Sequence, residues 1–244
     1  MPTSPQKIAL ITGANKSIGF ETARQIAKTG VTVLLGARNA ERGEHAAAKL
    51  KAEGLDVRYL PIDITDHATI TAAAATIDKD FGHLDILVNN AGIIVTGDGP
   101  VATTPLEALE TTYRTNVIGS IAVTQAMLPL LRKAPSARVV NVSSGLGSIT
   151  QAGDPKYFAV NNKLLAYAVS KAALNMFTAH LAWELRDTKI KVNASDPGYT
   201  ATDFNNHHGT QTIPEGSAET IRLALLPDDG PTGTFSDNAG IVPW

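Results

Sequence analysis

No cysteine occurs among the 244 residues. Disulfides, zinc-thiolate centres and thiol nucleophiles are thereby excluded, and a reducing compartment is permitted. No apolar run approaches the ~18 residues of a membrane-spanning helix. The stretch from Met1 to Lys7 has no apolar core of the kind a signal peptide requires, so a cytoplasmic location is expected. An excess of one charge is missing as well: 21 basic and 23 acidic residues leave a formal net charge of -2. There is neither the basic stripe of a nucleic-acid binder nor a polybasic membrane patch, and the expected partner is a small molecule. Internal repeats and linkers are absent too, which predicts one domain over residues 1–244, long enough to bury roughly 70 to 75% of its unfolded surface.

What is present alternates. Short β-branched runs at 8–12, 31–35, 57–62, 86–89, 138–143 and 189–194 predict strands, with a last one near 234–235. Between them, helical patterns lie at 20–29, 40–53, 67–81, 105–131, 167–186 and 214–226. This order predicts an α/β fold with a parallel sheet and crossover helices. Two stretches, 145–164 and 200–213, read as irregular.

Two local patterns carry chemistry. Tyr167 and Lys171 stand four apart on a predicted helix, which places phenol and ammonium on one face about 6 Å apart. A neighbouring cation favours the phenolate, so the pair suits proton exchange with a substrate oxygen near neutral pH. Alone, such a pair is more often a packed ring and a solvated charge. The second pattern, from Gly13 to Gly19, follows the first predicted strand and precedes a helix, the arrangement that brings backbone amides to a pyrophosphate. Ser17 stands there in place of a third glycine. By itself this pattern is equally well a structural turn.

Together with further segments these patterns resemble the short-chain dehydrogenase/reductase superfamily. Its motifs appear in chain order: Thr12-Gly13-Ala14-Asn15-Lys16-Ser17-Ile18-Gly19, Asp63, Asn89-Asn90-Ala91-Gly92, Asn116, Ser143-Ser144, Tyr167-x-x-x-Lys171 and Asp196-Pro197-Gly198. Within the superfamily the chain is most similar to carbonyl reductases, from its Ala-Asn-Lys turn and the tail through 214–219, 223–227 and Gly233 to Pro243-Trp244. The resemblance implies a single doubly wound parallel-sheet domain of Rossmann type. It also implies a catalytic set of Asn116, Ser144, Tyr167 and Lys171, with Asn116 distorting its helix and holding a water against the lysine. Cofactor contacts are implied for Gly13, Asn15, Lys16, Ser17, Ile18 and Gly19, for Asp63 and Ile64 at the adenine, and for Asn89, Ala91 and Gly92 near the ribose. Tyr167, Lys171, Pro197, Gly198 and Thr200 would meet the nicotinamide half. Bland readings stay open: Asp63 as an early helix cap, Ser144 as a strand-end serine, and Asn90 as a brace for the sheet rather than a cofactor contact.

Between Val31 and Ala40 there is no acid to hold a ribose 2′-hydroxyl, whereas Arg38 and Lys16 offer cations suited to a 2′-phosphate. NADP(H) is the expected cofactor. The expected activity is reduction of a ketone, aldehyde or quinone to an alcohol, with Tyr167 as general acid and Lys171 lowering its pKa. A silent NADPH-sensing regulator is the alternative; such proteins usually lose the tyrosine or lysine. An epimerase or dehydratase needs a larger C-terminal domain than the chain has after Gly198. His207-His208 reads as a polar loop, since no cysteine or nearby histidine completes a metal site. Asp196 stands where the family usually has an apolar residue or cysteine, and no role attaches to it. The segment 145–164 is long and polar, with Gln151, Asp154, Lys156, Asn161, Asn162 and Lys163. It is expected to cover the helix face through which relatives dimerise, which favours a monomer over a homodimer or tetramer.

Overall fold

The structure, a computed structural model, describes residues 6–157, 159 and 163–244. Residues 1–5, part of the stretch read above for a signal peptide, and Asn161 and Asn162 of the polar segment lie outside the described residues. Eight strands form one sheet in the order β3-β2-β1-β4-β5-β6-β7-β8. They are β1 (Ile8–Thr12), β2 (Thr32–Ala37), β3 (Val57–Pro61), β4 (Ile86–Asn89), β5 (Ala137–Val142), β6 (Ile190–Ser195), β7 (Phe235–Asp237) and β8 (Gly240–Ile241). All pairings are parallel except β7 with β8. Every residue of β1, β2 and β4 to β5 is buried, as strands covered on both faces must be.

Helices cover the sheet on two sides. On one lie α1 (Ser17–Lys28), α2 (Ala40–Ala52) and α8 (Ile213–Ala224), whose Ile26, Leu50 and Leu223 join a core with Ile11 and Val140. On the other lie α3 (His67–Phe81), α4 (Leu106–Tyr113), α5 (Ser120–Leu131) and α7 (Leu165–Glu184), whose Ile70, Val123 and Leu181 pack with Leu10 and Val139. Local chemistry sets several ends. Asn39 caps α2 by accepting from the Arg42 amide, Asp66 caps α3, and Gly82 closes α3 at φ +74°. Thr212 and Glu215 form a reciprocal capping box at α8.

Three readings are corrected. The helix expected over 105–131 is broken by a π-helical turn, Arg114–Gly119, centred on Asn116. The irregular segment holds a 3-10 turn, Gly145–Gly147, and a short helix α6 (Ile149–Ala152). Its described residues do not cover the outer face of α7: Val169, Met176 and Trp183, spaced by seven, stay exposed, Met176 at 58% and Trp183 at 71%. Ser148 and Thr150 bond instead to the carbonyls of Pro243 and Trp244, which draws the segment toward the C-terminal tail. The argument for a monomer thereby loses its physical basis. No helix among the described residues is long and apolar enough to cross a membrane.

Candidate active site

The chain winds outward from β1 through β2 to β3, then returns to place β4 on the other side of β1. The carboxyl ends of β1 and β4 therefore flank the crevice at the switch point, where ligands of such sheets bind. The turn after β1 is shaped for close approach. Gly13 takes φ +63°, and a β-carbon on it would lie 2.9 Å from the Ala91 α-carbon. A side chain on Gly19 would collide with Asn90 and come within 2.8 Å of the Gly13 carbonyl. Asn90 braces this turn by donating to the carbonyls of Thr12 at 2.9 Å and Gly13 at 3.2 Å. Lys16, the residue before α1, is extended and gives no side-chain cap, and no acid lies in the first turn. The amides at the start of α1 are thus left for an anion, which fits a dinucleotide pyrophosphate. Ser17 adopts φ +51°, the region that favours glycine.

The two cations expected at a 2′-phosphate are both exposed. Arg38 follows β2, while Lys16 bonds Asp203 at 2.9 Å, and Asp203 in turn bonds His207 at 3.0 Å. Asp63 is not the cap of α3. One of its oxygens accepts from the amide and hydroxyl of Thr65, and Ile64 beside it is buried. The Asn89 side chain does not face the crevice, so an approach to the ribose would fall to its backbone. Asn89 is 2% exposed and donates to Thr124 and Asn141, bridging β4 to β5 and α5 inside the core. Ala91 and Gly92 are brought to the crevice, and a β-carbon on Gly92 would lie 3.4 Å from Asn116 Oδ1 and 3.6 Å from Lys171 Nζ.

The catalytic candidates converge on that point. Ser144, at the end of β5, hydrogen-bonds the Tyr167 phenol. Ser143 turns the other way and bonds Asn175 at 2.5 Å within the core, which separates the roles of the two serines. Asn116 is 1% exposed; it accepts from the Ile93 amide at 2.8 Å and donates to the Ile93 carbonyl and to Ser170, each at 3.0 Å. It therefore ties the loop after β4 to α7. Lys171 is 4% exposed, with Nζ donating to the Val142 carbonyl at 2.7 Å and lying 5.4 Å from the Tyr167 ring centre. After β6, Gly198 turns at φ +67°, and Thr200 donates to the Pro197 carbonyl at 2.9 Å.

Electrostatics depart from expectation at the tyrosine. Burial and the nearby Asp196 carboxylate push the Tyr167 phenol above its ordinary value, opposed by the hydrogen bond with Ser144. Burial pulls Lys171 itself down to about 8, with Asp196 acting in the opposite sense. At neutral pH the phenol therefore keeps its proton, which equips it to donate.

Reasoning from sequence missed one positioning residue. Asp98, in the loop after β4, accepts from the amides of Ala166 at 2.8 Å and Tyr167 at 2.9 Å, capping the catalytic helix. The residue immediately before α7, Leu164, cannot do this. A cap supplied from 68 residues away leaves no local signal. Among the described residues no group of three or more His, Asp or Glu is placed to hold a metal.

Comparison with known proteins agrees with this geometry. The short chain dehydrogenase family matches residues 7–212. Carbonyl reductase [NADPH] 1 of Mus musculus is 36% identical, over 99% of this chain and 100% of that one. (-)-Isopiperitenone reductase of Mentha piperita is 35% identical, over 94% of this chain and 96% of that one. The NADPH-bound carbonyl reductase from chicken fatty liver superposes with a TM-score of 0.86 at 28% identity, over 99% of this chain and 100% of that one. The chain belongs to the short-chain dehydrogenase/reductase superfamily of oxidoreductases, and within it is carbonyl-reductase-like.

Proposed function

We propose that the protein is an NADP(H)-dependent carbonyl reductase that converts a ketone, aldehyde or quinone to an alcohol. The observation that carries this reading is the hydrogen-bonded pair of Ser144 and Tyr167 hydroxyls at the carboxyl edge of the sheet, with Lys171 buried beside them. The uncapped start of α1 and the close-packed Gly13 and Gly19 would hold the pyrophosphate, and Arg38 with Lys16 would hold the 2′-phosphate. When bound, the cofactor supplies the hydride. Ser144 and Tyr167 then donate to the carbonyl oxygen as negative charge develops there, and Tyr167 gives up its proton to form the hydroxyl. Lys171 compensates the phenolate left behind and reaches the ribose. Asn116 shapes the helix around the lysine, and a water held there restores the proton. The complete quartet also weighs against a silent NADPH sensor.

Oxidation of NADPH and NADH across a panel of ketones, aldehydes and quinones tests this. Turnover with preference for NADPH is expected, and Arg38→Asp should weaken NADPH more than NADH by about 1.5 to 3 kcal/mol, the worth of a charge-assisted contact. Equal affinity of the unmodified protein for the two cofactors contradicts the assignment.

A further inference from the structure

Lys16, one of the two cations read for a 2′-phosphate, is already engaged. Its ammonium bonds one Asp203 carboxylate oxygen at 2.9 Å, and the other oxygen of that carboxylate lies 3.0 Å from His207 Nε2. The strand order shows in which direction this pair pulls. On one side of β1 stands β2, and with it Arg38; on the other follow β4, β5 and β6, which puts β6 three strand spacings, roughly 14 Å, from β1. Asp203 follows β6 and meets Lys16 across the mouth of the crevice, so the ion pair draws the ammonium toward β6 and away from Arg38. The turn that carries Asp203, a 3-10 turn over Asp203–Asn205, is fixed without this pair. Thr200 bridges to Gln211 at its base, Asn205 accepts from the Thr202 amide at 3.2 Å and donates to the Thr200 carbonyl at 2.9 Å, and the Phe204 ring meets Tyr167 edge-on with centres 5.7 Å apart. Lys16 ends a flexible four-carbon stem and is the partner free to swing.

Lys16, with His207 behind it, holds the Asp203 carboxyl below its ordinary value and so keeps it charged. A 2′-phosphate carries up to two negative charges against the one of a carboxylate, so it can displace Asp203, but only by breaking a pair that already exists. A cofactor with a plain 2′-hydroxyl offers the ammonium no anion and leaves the pair intact. Resting on the NADP(H) reading, we propose that Asp203 is a specificity-determining residue for the cofactor: it competes with the 2′-phosphate for Lys16 and thereby restrains the preference for NADPH over NADH. Lys16 serves either Asp203 or the phosphate, while Arg38, on the far side of β1, serves the phosphate alone. The pair is exposed on both sides, so its effect is modest and is screened as salt rises.

The test is calorimetry at low ionic strength with adenosine 2′,5′-bisphosphate and 5′-AMP, which differ only in the 2′-phosphate and need no turnover. Asp203→Asn, an isosteric change at an exposed position, should tighten the bisphosphate by about threefold to fivefold, the most an exposed ion pair withholds, and leave 5′-AMP unchanged. In a Lys16→Met background the same substitution should lose most of that effect, because the lysine through which Asp203 acts is gone. A gain for the bisphosphate below about twofold overturns the proposal, as does a gain that persists undiminished without Lys16. Equal weakening of both nucleotides in Asp203→Asn also overturns it, since the pair would then clamp the nucleotide rather than compete with it. Should the unmodified protein show no preference for the bisphosphate, the NADP(H) reading fails, and Asp203→Asn still decides the competition: a preference that emerges there supports capture of Lys16, and none refutes it.

Discussion

Ser17 and Lys171 both sit where the local environment opposes them, and both do so at the site. Ser17 stands in a glycine position at φ +51°, a conformation that costs a side-chain-bearing residue about 1 to 2 kcal/mol. Part of that is offset by the greater freedom of an unfolded glycine. Ser17→Gly is therefore expected to stabilise the cofactor-free protein by about 0.5 to 1 kcal/mol in urea unfolding, and an equal or lower stability contradicts the strain. Lys171 is pulled from an ordinary 10.5 down to about 8. Below pH 8 both folded and unfolded chains carry this proton, and the full penalty of burying it applies. Between pH 8 and 10.5 the unfolded chain binds more protons, so stability contributed by this group rises with pH. The penalty is on the order of 3 kcal/mol. Lys171→Met, losing one bond to the Val142 carbonyl, should gain about 1 to 2 kcal/mol at pH 7 while losing turnover. A Met variant less stable than the parent at pH 7 refutes this. The four-residue spacing made the Tyr167 and Lys171 pair legible in the sequence. Their electrostatics were not, because burial and Asp196 come from tertiary packing.

At the scale of elements, strands and helices were legible wherever hydrophobic period and end signals agreed. Residues 67–81 form a helix because Asp66 starts it and Gly82 stops it, and β1 and β4 follow their apolar runs to the residue. The π turn at Asn116 was expected only through family resemblance, since 105–131 reads as one continuous helical pattern. Its cause is tertiary: the Asn116 side chain is committed to Ile93 and Ser170 on neighbouring elements. Asp98 belongs to the same class of long-range determinant. Its carboxylate supplies the cap that fixes where α7, and with it Tyr167, begins. Asp98→Ala is expected to cost about 1 to 2 kcal/mol of stability, as lost caps do, and to lower kcat more than it raises KM. Asp98→Asn, which keeps one acceptor, should recover part of both. A variant with unchanged kcat would show that the cap does not position the tyrosine.

At the scale of the molecule, the alternation of strand and helix was enough to foresee a parallel sheet with crossover helices, while its doubly wound order came from the family resemblance, whose motifs put Gly13, Ser144 and Gly198 just after strands and Tyr167 on a helix. What the pattern withheld was where the long polar segment goes. Its described residues join the C-terminal tail through Ser148 and Thr150 and pack against Gly145. The whole arrangement converges on one claim, that Tyr167 donates the proton that completes carbonyl reduction. The direct test is single-turnover oxidation of bound NADPH by a reducible ketone or aldehyde, in the unmodified protein and in Tyr167→Phe, with cofactor affinity measured alongside. Loss of the proton donor should slow turnover by about 10² to 10⁴-fold with NADPH affinity within about threefold of the parent. Near-full reductase activity in Tyr167→Phe would contradict the account.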